Sequence, residues 1–117
     1  MKYALVVFET EESRRMIATN REEHRRAYLE WIAAVAASGK LVGGDALDTE
    51  LAVPVVVRRV NGAMVAGEGT VTGRSETVGG WFIVEVDSAA EAIELACAIA
   101  TPEAIEVRPV LESAADV

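Results

Sequence analysis

His24 is the one histidine in the chain, and it is the side chain best equipped for proton transfer. An unperturbed imidazole titrates near neutrality, so it can both take and give a proton at physiological pH. It stands in REEHRRAYL, in line with Tyr28, Trp31 and Val35 at helical spacing, so it faces the body of the protein or its edge. An imidazole used as an acid or base needs a carboxylate to orient it. Asp45, directly after Gly43-Gly44, is the first candidate, and Asp48 is the second. The plainer use of His24 is packing, with the ring hydrogen-bonded to a carboxylate at the start of a helix. Arg58 and Arg108, with Glu85 and Glu106, interrupt otherwise apolar strands, where a charge needs a partner. The arginines serve either as ion pairs between subunits or as an anion clamp for a carboxylate ligand. Tyr3 and Trp81 either line a pocket or belong to the core. Cys97 reads as a buried structural thiol, because nothing nearby lowers its pKa. One histidine, one cysteine and scattered acids provide no metal-ligand spacing. Gly67-Glu68-Gly69 lacks the lysine and following helix of a phosphate loop. No metal and no cofactor are expected.

The elements that must position these residues follow from periodicity. Residues 79–110 read as a strand (Gly80–Val86), a helix from Ser88 to about Thr101, and a last strand (Ile105–Val110). Ser88 with Glu91 three residues on has the form of a capping box. Ile93, Ala96, Cys97 and Ala100 share one face of that helix. At the amino end, Lys2–Glu9 is a strand with apolar residues on both parities, so both of its faces need cover. Thr10–Thr19 lacks a clean period and reads as a loop with at most a helical turn. A helix then runs from Asn20, with Glu23 as its capping partner, to Ser38-Gly39. Leu41–Leu47 is a short extended piece. Pro54–Val60 and Ala63–Ala66 flank Asn61-Gly62, the strongest short hairpin signal. Gly67–Val78 is the longest loop. The resulting order is β-α-β-β-α-β with extra short strands, an α+β, ferredoxin-like plan in which two helices cover one face of an antiparallel sheet.

Composition narrows the partners. The 117 residues are enough for one domain, residues 1–117, with a real core. Hydrophobic residues make up 51% and aromatics only 5%, so that core is built from Val, Ile, Leu and Ala. The strands carry large apolar residues on both parities, and an exposed apolar sheet face is a liability. A homodimer with the sheets packed face to face resolves it. A net charge of −8 argues against nucleic acid and against anionic membrane surfaces. No apolar run approaches the roughly 20 residues of a membrane span, and MKYALVVFETEE looks like a strand, not a signal peptide. A cytoplasmic location is the default expectation.

Five stretches, MKYALVVF, GKLVGGDAL, VVVRRVNG, GGWFIVEVDSAAEAIELA and IEVRPV, together resemble the YCII-related family, in the branch named for its DGPF motif. The resemblance spans nearly the whole chain, and its order and spacing carry it more than any single piece. It implies a dimeric α/β barrel of ferredoxin-like subunits and a small-molecule pocket in which some relatives use a His–Asp pair. For other relatives it implies a link to sigma-factor regulation. It also implies that His24, in REEHRRAYL, is the acid/base, with elimination or hydrolysis of a small polar substrate as the fitting chemistry. At the DGPF positions this chain has Glu68-Gly69-Thr70-Val71, so only the glycine is retained. The next acidic position of the family pattern falls on Gly73, and the later one is retained as Glu76, which the resemblance makes a ligand-site residue. The competing expectation is a regulatory or interaction module with Gly67–Val78 as its contact surface.

Overall fold

β1 (Lys2–Glu9) is an inner strand of the main sheet, and its alternation sets the architecture. Tyr3, Leu5, Val7 and Glu9 are buried, while Ala4, Val6 and Phe8 between them are only partly covered. The computed structural model describes residues 1–112. β1 is followed by α1 (Glu11–Thr19), α2 (Arg21–Ala37), β2 (Leu41–Ala46), β3 (Val55–Val60), β4 (Ala63–Glu68), β5 (Thr77–Glu85), α3 (Ala89–Cys97) and β6 (Ala104–Pro109). The main sheet has the order β2-β5-β1-β6, with every neighbouring pair antiparallel. This is the order of a β-α-β-β-α-β sandwich in which β1, α2, β2, β5, α3 and β6 fill the six places.

One face of the sheet holds the core. Leu5 and Val84 from the strands are fully buried against Trp31 and Val35 of α2 and Ala92 and Ala96 of α3. Trp31 is tied to α3 as well as packed on it, because its indole N–H donates to the Leu95 carbonyl at 2.9 Å. The inward face of α3 is Ala92 and Ala96, and Ile99 just past its end is buried with them. The expected line through Ile93 and Cys97 is rotated away from it, and both residues are exposed. Two small alanines at i, i+4 bring the helix axis close to the sheet. The larger Ile93 fits better outside.

Two expectations change at the amino end. Thr10–Thr19 contains a full helix, because Thr10 and Ser13 form a reciprocal cap that a charge-rich sequence hides. The Ser13 N–H donates to Thr10 Oγ1 at 3.0 Å, and the Thr10 N–H donates to Ser13 Oγ at 2.8 Å. The fold therefore has three helices. Asn20, expected to cap α2, makes no capping bond to the backbone, and its amide donates to Glu23 instead.

The hairpin lies apart. β3 and β4 form their own two-stranded sheet, turned at Asn61-Gly62, where both residues have positive φ (50° and 81°) as a type I′ turn requires. Val55, Val57, Met64 and Val65 are all exposed on it. The radius of gyration is 16.1 Å, against about 13 Å for a compact chain of this length. A lone two-stranded ribbon is only marginally stable in water.

Candidate functional site

At the carboxyl end of β1 the inward parity changes from apolar to charged. Glu9 follows Val7 on the helix-covered face and is only 6% exposed. The β1–β6 register runs Leu5↔Val107, Val7↔Ile105, Phe8↔Ala104. One step further, it sets Glu9 beside Glu103 on that same face. Two carboxylates brought close in this way repel one another unless a donor or a cation offsets them, and His24 does so for Glu103.

α2 passes over these two carboxylates and supplies the rest of the site. His24 Nε2 is hydrogen-bonded to Glu103 Oε1, with the side chains 16% and 2% exposed. The other carboxylate oxygen, Glu103 Oε2, is buried and has no hydrogen-bond partner among the described residues. One turn along α2, Tyr28 tilts against the His24 ring at 5.3 Å and stacks on Phe82 at 6.1 Å. The Tyr28 hydroxyl accepts a bond from Thr101 at 3.1 Å. Burial pushes its phenol well above the usual range, the Thr101 bond opposes this, and the Glu103 and Glu9 charges, with the hydroxyl's own approach to the Glu103 carboxylate, add to the rise.

These groups wall a cavity of about 480 Å³ between α2, α1 and the β2–β5 edge of the sheet, within the size range of small-molecule sites. Its wall is mainly apolar, with Val7, Leu29, Ile32 and Phe82 among the lining residues. Ile17 of α1 contributes to one side, so the helix missed in the sequence closes part of the site. Arg21 and Glu50 stand at the mouth, joined by two bonds of 2.7 Å each, and both are exposed. Arg21 holds the Glu50 carboxyl below its ordinary value. The sheet can form this floor because Gly44 and Gly80 let β2 lie close on β5. A Cβ at Gly80 would fall 2.5 Å from the Asp45 carbonyl oxygen.

The expected site residues fall into three groups. His24, Asp45 and Trp81 border the cavity. Asp45 is not the partner of His24, however, because Glu103 holds that place. The register pairs Asp45 with Trp81, one residue along from the Gly44–Phe82 pair, so both side chains turn to the face away from the helices. Tyr3 is a core residue, 7% exposed. Arg58, Arg108 and Glu76 lie elsewhere. Arg58 is exposed on the hairpin and donates to the Val71 carbonyl at 2.6 Å. Arg108 is exposed on β6 opposite Ala4, and Glu76 is exposed in the loop before β5. Glu9 and Glu103 are outside the expected set. Glu9 had a readable signal, a carboxylate on the inward parity of an apolar strand. Glu103 had none, because its 79-residue separation from His24 is closed only by the sheet.

A four-stranded antiparallel sheet with two helices on one face and a histidine-walled cavity under the first of them places the protein among ferredoxin-like α+β domains. Within that class the chain belongs to the YCII-related domain family, whose model matches residues 1–114. No curated protein matches the chain. Gly69 has a φ of 126° and donates its N–H to the Pro54 carbonyl at 2.8 Å, closing the base of the hairpin. Glycine is required there by the backbone itself. Among the described residues, no helix is long and apolar enough to cross a membrane.

Proposed function

We propose that this protein binds a small organic molecule in the cavity under α2 and that His24, oriented by Glu103, is its acid/base group. The supporting observation is the contact of His24 Nε2 with a buried carboxylate at the wall of a ligand-sized cavity. With the Nε2 proton donated to Glu103, the imidazole lone pair lies on Nδ1, the nitrogen left to accept a proton from a bound substrate. Glu103 then balances the imidazolium that forms, as an orienting carboxylate does in hydrolytic sites. Removal of an acidic proton with loss of a leaving group, or activation of water on a small ester, is the chemistry that suits this pair. The anion clamp expected of Arg58 and Arg108 has no part in it.

The test is a screen of small esters and β-hydroxy carbonyl compounds against wild type, followed by the variants. A compound that binds here shifts the His24 ring protons in NMR spectra. Turnover of a substrate found this way should fall about 10²- to 10⁴-fold in His24→Ala and fall in Glu103→Gln as well. Unchanged binding and turnover in His24→Ala would end the reading.

A second reading is favoured by a different observation, the apolar hairpin exposed on both faces. We propose that β3–β4 and the far face of the main sheet, with Val6, Phe8, Trp81 and Ile83, form a homodimer interface, as the DGPF branch of the family implies. Burying the hairpin against a second copy supplies the apolar cover it lacks alone. Sedimentation at micromolar concentration should show a dimer, and a stable monomer would reject this.

A further inference from the structure

The cavity is built for a ligand that brings positive charge. We propose that it takes a small cationic amine whose ammonium group is received by Glu9 and Glu103 and whose apolar body lies along Phe82, Ile32 and Leu29. This rests on the cavity being a ligand site, as proposed above, and adds the chemical class of what it holds.

Three observations carry it. Glu103 lines the cavity with its side chain 2% exposed; Oε1 is bound to His24, and the buried Oε2 makes no hydrogen bond within 3.5 Å among the described residues, with the Tyr28 hydroxyl close to the same carboxylate. A buried carboxylate oxygen with no donor is costly unless something supplies one. Glu9 is 6% exposed, lines the same cavity, and makes no side-chain hydrogen bond or ion pair among the described residues. A Cβ at Gly79 would come within 3.3 Å of its Oε2, so the glycine on the neighbouring strand makes room for this carboxylate. The third observation is the placing of the cations. Arg21 is committed to Glu50, and Arg21 and Arg25 are both exposed at the mouth. Arg14, half-buried beside Glu9 in a smaller adjoining pocket, donates to Thr77 Oγ1 at 2.8 Å and forms no ion pair with Glu9, while His24 bonds Glu103 alone. An ammonium has donors for several oxygens at once and meets both acids where the sheet sets them side by side. A carboxylate ligand at the same depth would face two like charges. The apolar wall suits an arylalkyl or alkyl body, since aromatic and aliphatic lining supplies most of the contact in such sites.

Three probes of matched shape test this on the full chain by calorimetry: 2-phenylethylamine, 2-phenylethanol and 3-phenylpropionate. The amine is expected to bind about tenfold more tightly than the alcohol, the worth of one charge-assisted hydrogen bond, and the carboxylate more weakly than either. Glu9→Gln and Glu103→Gln should each narrow the amine-to-alcohol affinity ratio from about tenfold toward one. The wild-type series stands by itself if either variant fails to fold. Equal or tighter binding of 3-phenylpropionate overturns the charge assignment and leaves the cavity a ligand site. The same holds if the amine-to-alcohol ratio is unchanged in both folded variants. If none of the three binds, the cationic-ligand proposal falls together with the reading of the cavity.

Discussion

Gly43 and Gly44 are neighbours in β2, and replacing each with alanine should give opposite results. A Cβ at Gly44 would sit 2.5 Å from the Trp81 carbonyl oxygen, 2.8 Å from Phe82 Cδ1 and 3.2 Å from Phe82 Cα. Two of those three atoms are backbone. The third belongs to a ring fixed by Trp31 at 4.7 Å and Tyr28 at 6.1 Å, so it cannot swing clear. Overpacking of this kind costs about 1–3 kcal/mol, and contacts with backbone put Gly44→Ala at about 2–3 kcal/mol. At about 2.1 cal/mol/K of unfolding entropy per residue, that lowers Tm by roughly 8–12 °C for a chain of this size. Gly43 has nothing within 4 Å of the same added atom. There alanine reduces the freedom of the unfolded chain and should stabilise by about 0.4–1 kcal/mol. Urea unfolding followed by the fluorescence of buried Trp31, at one fixed protein concentration, measures both. If the two variants move together, within about 0.5 kcal/mol, the close approach of β2 to β5 that forms the cavity floor is wrong.

Three further outcomes are expected. Tyr28 is protonated in the fold at pH values where the unfolded chain has released its phenol proton, because burial raises it. The unfolded state then binds fewer protons above pH ~10, so stability falls as pH rises through that range, by at most about 1.4 kcal/mol per pH unit. Tyr28→Phe should remove that part of the alkaline loss, and a chemical-denaturation series from pH 8 to 11 would show it. Thr10→Ala removes the cap of α1 and the 3.2 Å bond from its hydroxyl to the Pro102 carbonyl. It should cost about 1–2 kcal/mol, measured by urea midpoint, and an unchanged midpoint would deny α1 its cap. Val57→Lys with Val65→Glu places charges on the exposed hairpin and should shift sedimentation from dimer to monomer while leaving the Trp31 environment intact.

Much of the architecture was legible in the residues because its causes are local. Alternation marked β1 and β5, the 3.6-residue line Tyr28–Trp31–Val35 marked α2, Ser88 marked the start of α3, and Asn61-Gly62 marked the hairpin turn. Each signal acts within a few residues, where the backbone conformation is chosen. α1 escaped because its cap is a Thr–Ser exchange and its face is charged, so no hydrophobic period announces it. The inward face of α3 was misplaced by one position because Ala92 and Cys97 are both small, and only contact with β1 and β6 chooses between them.

The site divides along the same line. The sequence alone determined that His24 would lie on the inward side of α2 and need a carboxylate, since helical spacing and imidazole chemistry are properties of the segment. It could not determine which carboxylate. Asp45 was near in the chain, but β-sheet alternation turns its side chain to the far face. Glu103 was distant, and the antiparallel pairing of β1 with β6 carries it next to Glu9 and beneath α2. Register is a property of two strands at once, held by hydrogen bonds between segments far apart in the chain. The buried pair of acids, and with it the charge the cavity asks of its ligand, therefore exists only in the tertiary structure.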